Sequence, residues 1–417
     1  MQLVEQHIID RKDPRFASID VAAFKSKNLY NAALYEMRQA FIHEGTYLTY
    51  NETDKRMQSH EAYQALPAKV SQQILMLLDK NWKSFKEARE AYEEAPSKFT
   101  GRPHLPKYKH KQEGRNILIY TVQAISRGKN GLKRGIIKPS MLPISVKTKQ
   151  DPKHIDQVRI VPRNGYYVIE VVYTKEPVQA NIDPSFCVGI DLGVTNLAAI
   201  ASNREGFVPR LVNGRPLKAW NQWYNKRMKE LKKKLPKEDR ERVTKQMQRI
   251  TTTRNRQINH YLHTASKRVI DFLVENGIGT VIIGKNPLWK QEINLGRRNN
   301  QNFVSIPHAR FIDMISYKAA LVGIGVEVRE ESYTSKASFL DLDPIPDYQA
   351  NDETVHVFSG KRIGRRNRLY RTKDGHIICA DMNGAYNILR KSRPDAFADA
   401  SAKGVAGYVV HPVRLAV

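Results

Sequence analysis

The chain has 417 residues, and its 69 Lys and Arg outnumber 42 Asp and Glu, which gives a formal net charge of +27. An excess of this size indicates a polyanionic partner, and nucleic acid is favoured over a ribosomal or membrane-surface role. No apolar run approaches the roughly 18 residues of a membrane span, and the N-terminus lacks the apolar core of a signal peptide. We therefore expect no membrane partner and a cytoplasmic, nucleoid-associated protein. The two cysteines, Cys187 and Cys379, exclude a disulfide framework and a four-cysteine zinc site.

The N-terminal part predicts a β domain that carries a helical insertion. Apolar residues recur at spacings of three and four within residues 29–94, and no Gly or Pro interrupts Val70–Glu94, which is typical of long helices. Residues 115–180 are instead rich in β-branched and aromatic residues separated by turn formers. We assign residues 1–28 and 95–180 to a β-barrel-like domain and residues 29–94 to the helical insert.

The C-terminal part, residues 181–417, predicts an α/β layer domain. Its apolar runs CVGIDLGVTNLAAIAS, GIGTVIIG, GIGVEVREES and HIICAD predict strands, and NGAYNILRK predicts a helix. Residues 215–256 carry 15 Lys and Arg against four Asp and Glu and predict a basic helical pair. Residues 361–373, with seven basic residues of thirteen, predict a phosphate-contacting hairpin or loop.

Two carboxylates stand at the edges of predicted strands. Asp191 follows CVGI and Asp381 follows IICA. A buried carboxylate usually meets a cation or a donor, and two on neighbouring strands of one sheet can share Mg²⁺ ions. Two such ions would stabilise both oxygens of a phosphodiester displacement. The alternative, that each Asp caps a turn or a helix, stays open at this point.

The flanking sequences resemble a known family. VGIDLGVTNLA resembles the first motif of a RuvC-like nuclease domain, and ADMNGAYNILR resembles the third. The stretch between them, from GTVIIGKN to SYTSKASF, resembles TnpB, the transposon-encoded relative of type V CRISPR effectors. The resemblance covers about residues 183–391 and extends more weakly to residues 29–45 and to FTGRPHLPKYK. It implies an RNase H-like (RuvC) domain, a wedge domain with a helical recognition insert, a guide RNA from the transposon end, and double-stranded target DNA with an adjacent motif.

The sequence departs from the TnpB pattern at two places. Gly284 and Lys285 stand where the second motif normally supplies a catalytic Glu. Glu330 and Glu331 end the next predicted strand, and only one of them can face the site, because neighbouring strand residues face opposite ways. We prefer Glu331, with Glu330 as the alternative, because Glu331 directly begins the segment ESYTSK, whose sharp turn would lie beside the metals. The segment of about residues 335–378 holds no cysteine pair, so we expect a basic insert without zinc.

We therefore expect Asp191, Glu331 and Asp381 to be the catalytic residues and to bind two Mg²⁺ ions, with Mn²⁺ as a substitute. Basic and aromatic residues near the motifs are candidate nucleic-acid contacts. They are Arg102, Lys107, Lys109, Lys226, Arg227, Lys285, Trp289, Lys290, Arg297, Arg298, Lys361, Arg362, Arg365 and Arg366.

The leading hypothesis is an RNA-guided DNA endonuclease of TnpB type that uses two-metal-ion hydrolysis in a RuvC site. The alternative is a nuclease-inactive, RNA-guided DNA-binding protein that represses transcription. The third carboxylate separates the two hypotheses. A transposase that acts alone on transposon ends is less favoured, because no DNA-joining Tyr or Ser signature is evident.

Overall fold

The protein is described by a computed structural model that covers residues 1–126, 128, 131–286, 305–347, 354–364, 368–397 and 412–417. The chain forms two compact units, Met1–Lys175 and Glu176–Val417. Among the described residues, no helix combines the length and the apolar character needed to cross a membrane.

The first unit combines four helices with an antiparallel sheet. The helices are α1 (Phe16–Glu44), α2 (Tyr50–Met57), α3 (Glu61–Gln64) and α4 (Ala68–Glu94). The strands are β1 (Gln2–Ile9), β2 (Leu118–Thr121), β3 (Ile136–Ile137), β4 (Val146–Lys147), β5 (Ile155–Arg163) and β6 (Tyr166–Thr174). Strands β5 and β6 form a hairpin around Asn164–Gly165, a pair that suits a two-residue turn because Gly165 has a φ of +86°.

Two expectations for this unit need correction. The helical part begins at Phe16, inside the range that we assigned to the β domain, because no Gly or Pro interrupts the chain between Pro14 and Gly45. In the described residues the main sheet has the order β1-β6-β5-β2 with β1 and β2 as its edges, so it is an open sheet rather than a barrel.

The second unit is built on a six-stranded mixed sheet of the order β11-β10-β7-β8-β9-β15. These strands are β7 (Asp183–Leu192), β8 (Asn196–Ser202), β9 (Arg210–Asn213), β10 (Ile278–Gly284), β11 (Gly325–Arg329) and β15 (Val413–Leu415). Strands β7, β10 and β11 are parallel, so their carboxyl ends lie at one edge of the sheet.

Helices cover both faces of this sheet, and side chains alternate between the faces. Val188 and Ile190 pack in the core shared with α6 (Lys245–Glu275) and α7 (His308–Ala320), whereas Cys187 packs in the core under α8 (Ala380–Ser392). Asp191 has the parity of Cys187, so it lies on the α8 face. Helix α5 (Arg215–Lys233) precedes α6.

A separate three-stranded antiparallel sheet precedes α8. It consists of β12 (Lys361–Ile363), β13 (Leu369–Arg371) and β14 (Ile377–Cys379). The predicted basic hairpin is therefore present as β12 and β13. Tyr370 is fully buried at its centre and donates a hydrogen bond to the Lys336 carbonyl at 2.7 Å. The buried Tyr370 side chain, its hydrogen bond and the pairing of the strands thus hold this segment in place.

Candidate active site

Parallel strands bring the first two carboxylates to one edge of the sheet. In the register of β7 and β10, Ile190 pairs with Ile283, so Asp191 lies beside Gly284. On the other side of β10, Gly284 pairs with Arg329, and Glu331 follows two residues later. The side chain of Glu331 reaches across Gly284 towards Asp191.

Asp381 lies at the start of a helix. The sequence left two placements open, a strand edge in one sheet with Asp191 or the start of the helix that follows, and the structure has the second. Strand β14 belongs to the separate three-stranded sheet, and Asp381 lies in the first turn of α8. The apolar run IICA that suggested a core strand instead leads directly into this helix.

Close packing of α8 on the sheet places Asp381 beside Asp191. Gly384, one turn after Asp381, permits this approach, since a Cβ atom there would lie 2.6 Å from Oδ2 of Asp191. The Asn196 side chain donates a hydrogen bond from Nδ2 to Oδ2 of Asp381 at 2.7 Å. The helix and the β7–β8 turn together fix the orientation of the Asp381 carboxylate.

The three carboxylates line one pocket of about 490 Å³. Its rim includes Tyr333 and two cationic residues, Lys336 and Arg362. In the described part of the chain, no three His, Cys, Asp or Glu side chains are already gathered as a metal site. The carboxylates therefore border an open pocket and do not form a closed ligand cage.

Gly284 explains how Glu331 occupies this position. A Cβ atom on Gly284 would overlap with Oε2 of Glu331 and with Cδ1 of Ile388. The Glu331 carboxylate therefore occupies space that a side chain at position 284 would need. Glu331 Oε2 is buried and has no hydrogen-bond partner among the described residues.

Burial and mutual repulsion perturb the carboxyl groups. Burial raises the pKa of Asp191 well above its ordinary value, and the charges of Glu331 and Asp381 raise it further, while Arg362 opposes the shift. Burial, followed by the charge of Glu330, raises the pKa of Glu331 from 4.5 to about 7. The opposing cations, Arg362 for Asp191 and Lys391 for Glu331, have a smaller effect on these pKa values than burial has.

Glu330, the alternative candidate, points elsewhere. Its Oε2 lies 2.6 Å from Nζ of Lys391, whose side chain is only 3% exposed. Its Oε1 accepts a hydrogen bond from the Ser332 backbone at 2.6 Å. Glu330 therefore neutralises a buried ammonium group, and the pocket receives Glu331.

The predicted nucleic-acid contacts are spread over both units. Arg362 lines the pocket, and its neighbour Lys361 is exposed. Lys285, which precedes the pocket residue Asn286, is also exposed. Lys226 is exposed on α5, and Arg227 pairs with Glu230 at 2.9 Å. Arg102, Lys107 and Lys109 belong to the first unit. Trp289, Lys290, Arg297, Arg298, Arg365 and Arg366 lie outside the described residues.

Sequence reasoning missed the polar residues that hold the site. Asn196 binds Asp381, and the Asn286 side chain accepts a hydrogen bond from the Glu331 backbone at 3.0 Å. Asn387 on α8 binds the carbonyls of Thr334 and Ala337 in the turn after Glu331. Asn196 in VGIDLGVTNLA and Asn286 in GTVIIGKN were a signal for such roles, but the residues that they bind are distant in sequence.

Two family models match parts of the second unit, and the first of them begins a few residues before it. The OrfB_IS605 model, described as a probable transposase, matches residues 170–289. The model of the Cas12f1-like TNB domain matches residues 308–388. They confirm the resemblance to the TnpB family. Asp191 falls in the first matched range, and Glu331 and Asp381 fall in the second. No curated protein matches the chain.

Solved structures with a similar fold include compact CRISPR effectors. A Cas12f1–sgRNA–target DNA complex matches with a TM-score of 0.51 and 15% identity over 89% of this chain and 82% of that one. A CRISPR-Cas12f ternary complex matches with a TM-score of 0.37 and 16% identity over 89% and 81%. The mini-RNA-guided endonuclease CRISPR-Cas phi3 matches with a TM-score of 0.42 and 9% identity over 94% and 92%. The likeness to Cas12f1 shows a shared multidomain fold.

Proposed function

We propose that this protein is an RNA-guided DNA endonuclease of TnpB type whose RuvC site consists of Asp191, Glu331 and Asp381. The observation that carries the proposal is the convergence of these three carboxylates on one pocket from β7, the segment after β11, and α8. The family resemblance supplies the guided chemistry, and Gly284 supplies a physical reason for the position of Glu331.

The donor set fits hard divalent cations. Mg²⁺ takes oxygen ligands, and Glu331 presents a buried oxygen without a hydrogen-bond partner in the described chain. The pKa of Asp191 is raised first by burial and then by the charges of Glu331 and Asp381, and a bound cation would offset both effects. Two Mg²⁺ ions bound here would polarise the scissile phosphate and lower the pKa of the attacking water.

The protein's own residues then have distinct tasks. Asn196 holds Asp381 in place, and Asn286 anchors the backbone of Glu331. Arg362, on the pocket rim, can bind a phosphate oxygen of the DNA strand, and its Nε is already held by the Ser335 carbonyl at 3.3 Å. Cationic groups at the rim would draw the strand towards a floor of negative charge.

Guide RNA and target DNA are the proposed partners. Cas12f1 was solved with an sgRNA and target DNA, and the net charge of +27 of this chain suits the binding of polyanions of that kind. In the first unit, Lys109 is held on α1 by both backbone groups, which pair with the Asn31 side chain at 2.9 Å. The neighbouring Arg102 and Lys107 are exposed, so this segment offers an ordered row of cations to a phosphate backbone.

A guided cleavage assay tests the proposal. The protein is purified with its RNA, and a matched double-stranded target is supplied with Mg²⁺ or Mn²⁺. Asp191→Ala and Asp381→Ala should abolish cleavage and leave target binding intact, because base pairing and phosphate contacts supply the affinity. Asp374→Ala, which removes an exposed carboxylate before β14, is the matched control.

Cleavage at the wild-type rate by both variants of the pocket would refute the site. A wild-type complex that binds a matched target but never cuts it with either ion would instead favour the nuclease-inactive repressor. No observation on the described residues favours that second function.

A further inference from the structure

The backbone of Tyr333 has an unusual conformation at the edge of the pocket. Its φ is +66°, in the left-handed region that Gly adopts freely and bulky side chains rarely adopt. Met141 and Leu342 are the other residues besides Gly with positive φ in the described chain, and neither lines this pocket. Tyr333 therefore combines a strained backbone with a place beside the three carboxylates.

The surrounding turn holds this conformation from several sides. The backbone N–H and hydroxyl of Thr334 donate to the Glu331 carbonyl at 3.2 and 2.8 Å. The Tyr333 carbonyl accepts from the N–H groups of Lys336 and Ala337 at 2.9 Å each. Strain that is fixed in this way occurs mainly at functional sites. Gly would relieve the backbone strain, so the ring must contribute something that Gly lacks.

The ring of Tyr333 belongs to the lining of the pocket. It is half-buried, and it contacts the rings of His356 and Phe358 at centroid distances of 4.8 and 6.2 Å. Lys336 places its ammonium group 5.8 Å from the ring centroid, and Arg362 lies on the same pocket rim. An aromatic ring beside cations is the pattern with which proteins bind single-stranded nucleic acid.

We propose that Tyr333 stacks on a nucleobase beside the phosphate that is cut and thereby positions the DNA strand in the pocket. A base within a duplex already stacks on both of its neighbours, so only an unpaired, splayed base can receive the ring. The cations of Lys336 and Arg362 would contact the adjoining phosphates. This inference rests on the proposed nuclease function and adds Tyr333 as a positioning residue beside the three carboxylates.

Two variants separate the ring from the backbone. Tyr333→Gly removes the ring and relieves the strain at φ +66°, so the fold should be retained or stabilised. Tyr333→Phe keeps the ring and should cut at nearly the wild-type rate. In single-turnover reactions the Gly variant should be slower by roughly 5- to 150-fold, the range of one base–aromatic stack. Phe358→Ala removes a packing partner of the ring and is the control for packing alone.

A readout that does not need cleavage keeps the two proposals distinguishable. A single-stranded DNA oligonucleotide containing 2-aminopurine is added directly to the purified protein, without a matched guide. Stacking should quench its fluorescence in the wild type and in Tyr333→Phe, and quenching should be lost in Tyr333→Gly. A double-stranded version should show no dependence on the ring.

The outcomes decide as follows. Equal quenching in the wild type and the Gly variant would overturn the stacking proposal, whether or not the protein cuts DNA. Equal losses of cleavage in Phe358→Ala and Tyr333→Gly would also overturn it, because the ring would then act through packing. Ring-dependent quenching by a protein that never cuts would uphold stacking while the nuclease proposal fails.

Discussion

Replacing Glu331 with Gln should stop cleavage and, in the absence of metal, should stabilise the protein. The carboxyl of Glu331 is buried, and burial together with the charge of Glu330 raises its pKa from 4.5 to about 7, although Lys391 opposes the shift. At about 1.36 kcal/mol per pKa unit, this rise in the pKa of Glu331 corresponds to about 3 kcal/mol of unfavourable ionisation in the folded protein. Because part of the side chain borders solvent, we expect a measured gain of about 1–3 kcal/mol in the Gln variant.

The sign of the pH dependence follows from proton binding. Between pH 4.5 and about 7 the folded protein holds the Glu331 proton more tightly than the unfolded chain does. The free energy of unfolding of the wild type should therefore fall across this interval, relative to the Gln variant. The contribution of Glu331 itself to this difference should be fully present above about pH 7 and should vanish near pH 4.

Thermal unfolding in EDTA at several pH values measures this difference. At pH 8 the Gln variant should melt higher by roughly 2–4 °C per kcal/mol for a unit of this size. Mg²⁺ should raise the melting temperature of the wild type more than that of the variant, because a bound ion stabilises the folded state. Glu275→Gln, which neutralises an exposed carboxylate of the same unit, should show neither effect. A Gln variant that melts lower than the wild type at pH 8 in EDTA would refute the reasoning.

Three further outcomes are expected. Gly284→Ala should reduce guided cleavage at least about tenfold, because the methyl group would displace the Glu331 carboxylate. Gly325→Ala on the adjacent strand has room for its methyl group and should be neutral. Equal cleavage rates of the two variants would show that position 284 and the Glu331 carboxylate do not compete for space. Glu330→Gln should lower the free energy of unfolding by about 1–3 kcal/mol in denaturant titrations, because it removes the nearest anion from the buried Lys391, yet it should preserve cleavage at temperatures where the protein is folded. RNA should copurify with the protein. The slope of the logarithm of its affinity against the logarithm of the salt concentration should be about −0.7 to −0.9 for each neutralised phosphate. An affinity that is flat in salt would remove the electrostatic basis of RNA binding.

The sequence was sufficient for the elements with strong periodicity. The strands β7, β10 and β11 and the long α4 lie close to their predicted positions, because their apolar runs are bounded by turn residues. Glu331 was preferred because it begins the segment ESYTSK, and in the structure Glu331 lines the pocket whereas Glu330 does not. Its catalytic role remains a prediction for the variants above.

Other features depended on contacts that a single sequence does not reveal. The short strand β14 looked like a core strand because IICA is apolar, yet it pairs with β13 rather than with the main sheet. Local propensity cannot distinguish these two partners, since both accept an extended apolar segment. The start of α1 was placed too late for a related reason, as the amphipathic pattern is weak before Leu29.

The physical link between Gly284 and Glu331 makes the changed motif intelligible. A Glu at the strand end and a Glu after β11 would place two carboxylates in one volume, where burial already opposes even one negative charge. A Gly at position 284 without Glu331 would leave that volume empty against Ile388 and would cost packing energy. Each residue is therefore favourable only in the presence of the other, and their effects on stability and cleavage must be non-additive. We therefore infer that the loss of the usual Glu at position 284 is compensated by Glu331, so that the pocket keeps three carboxylates.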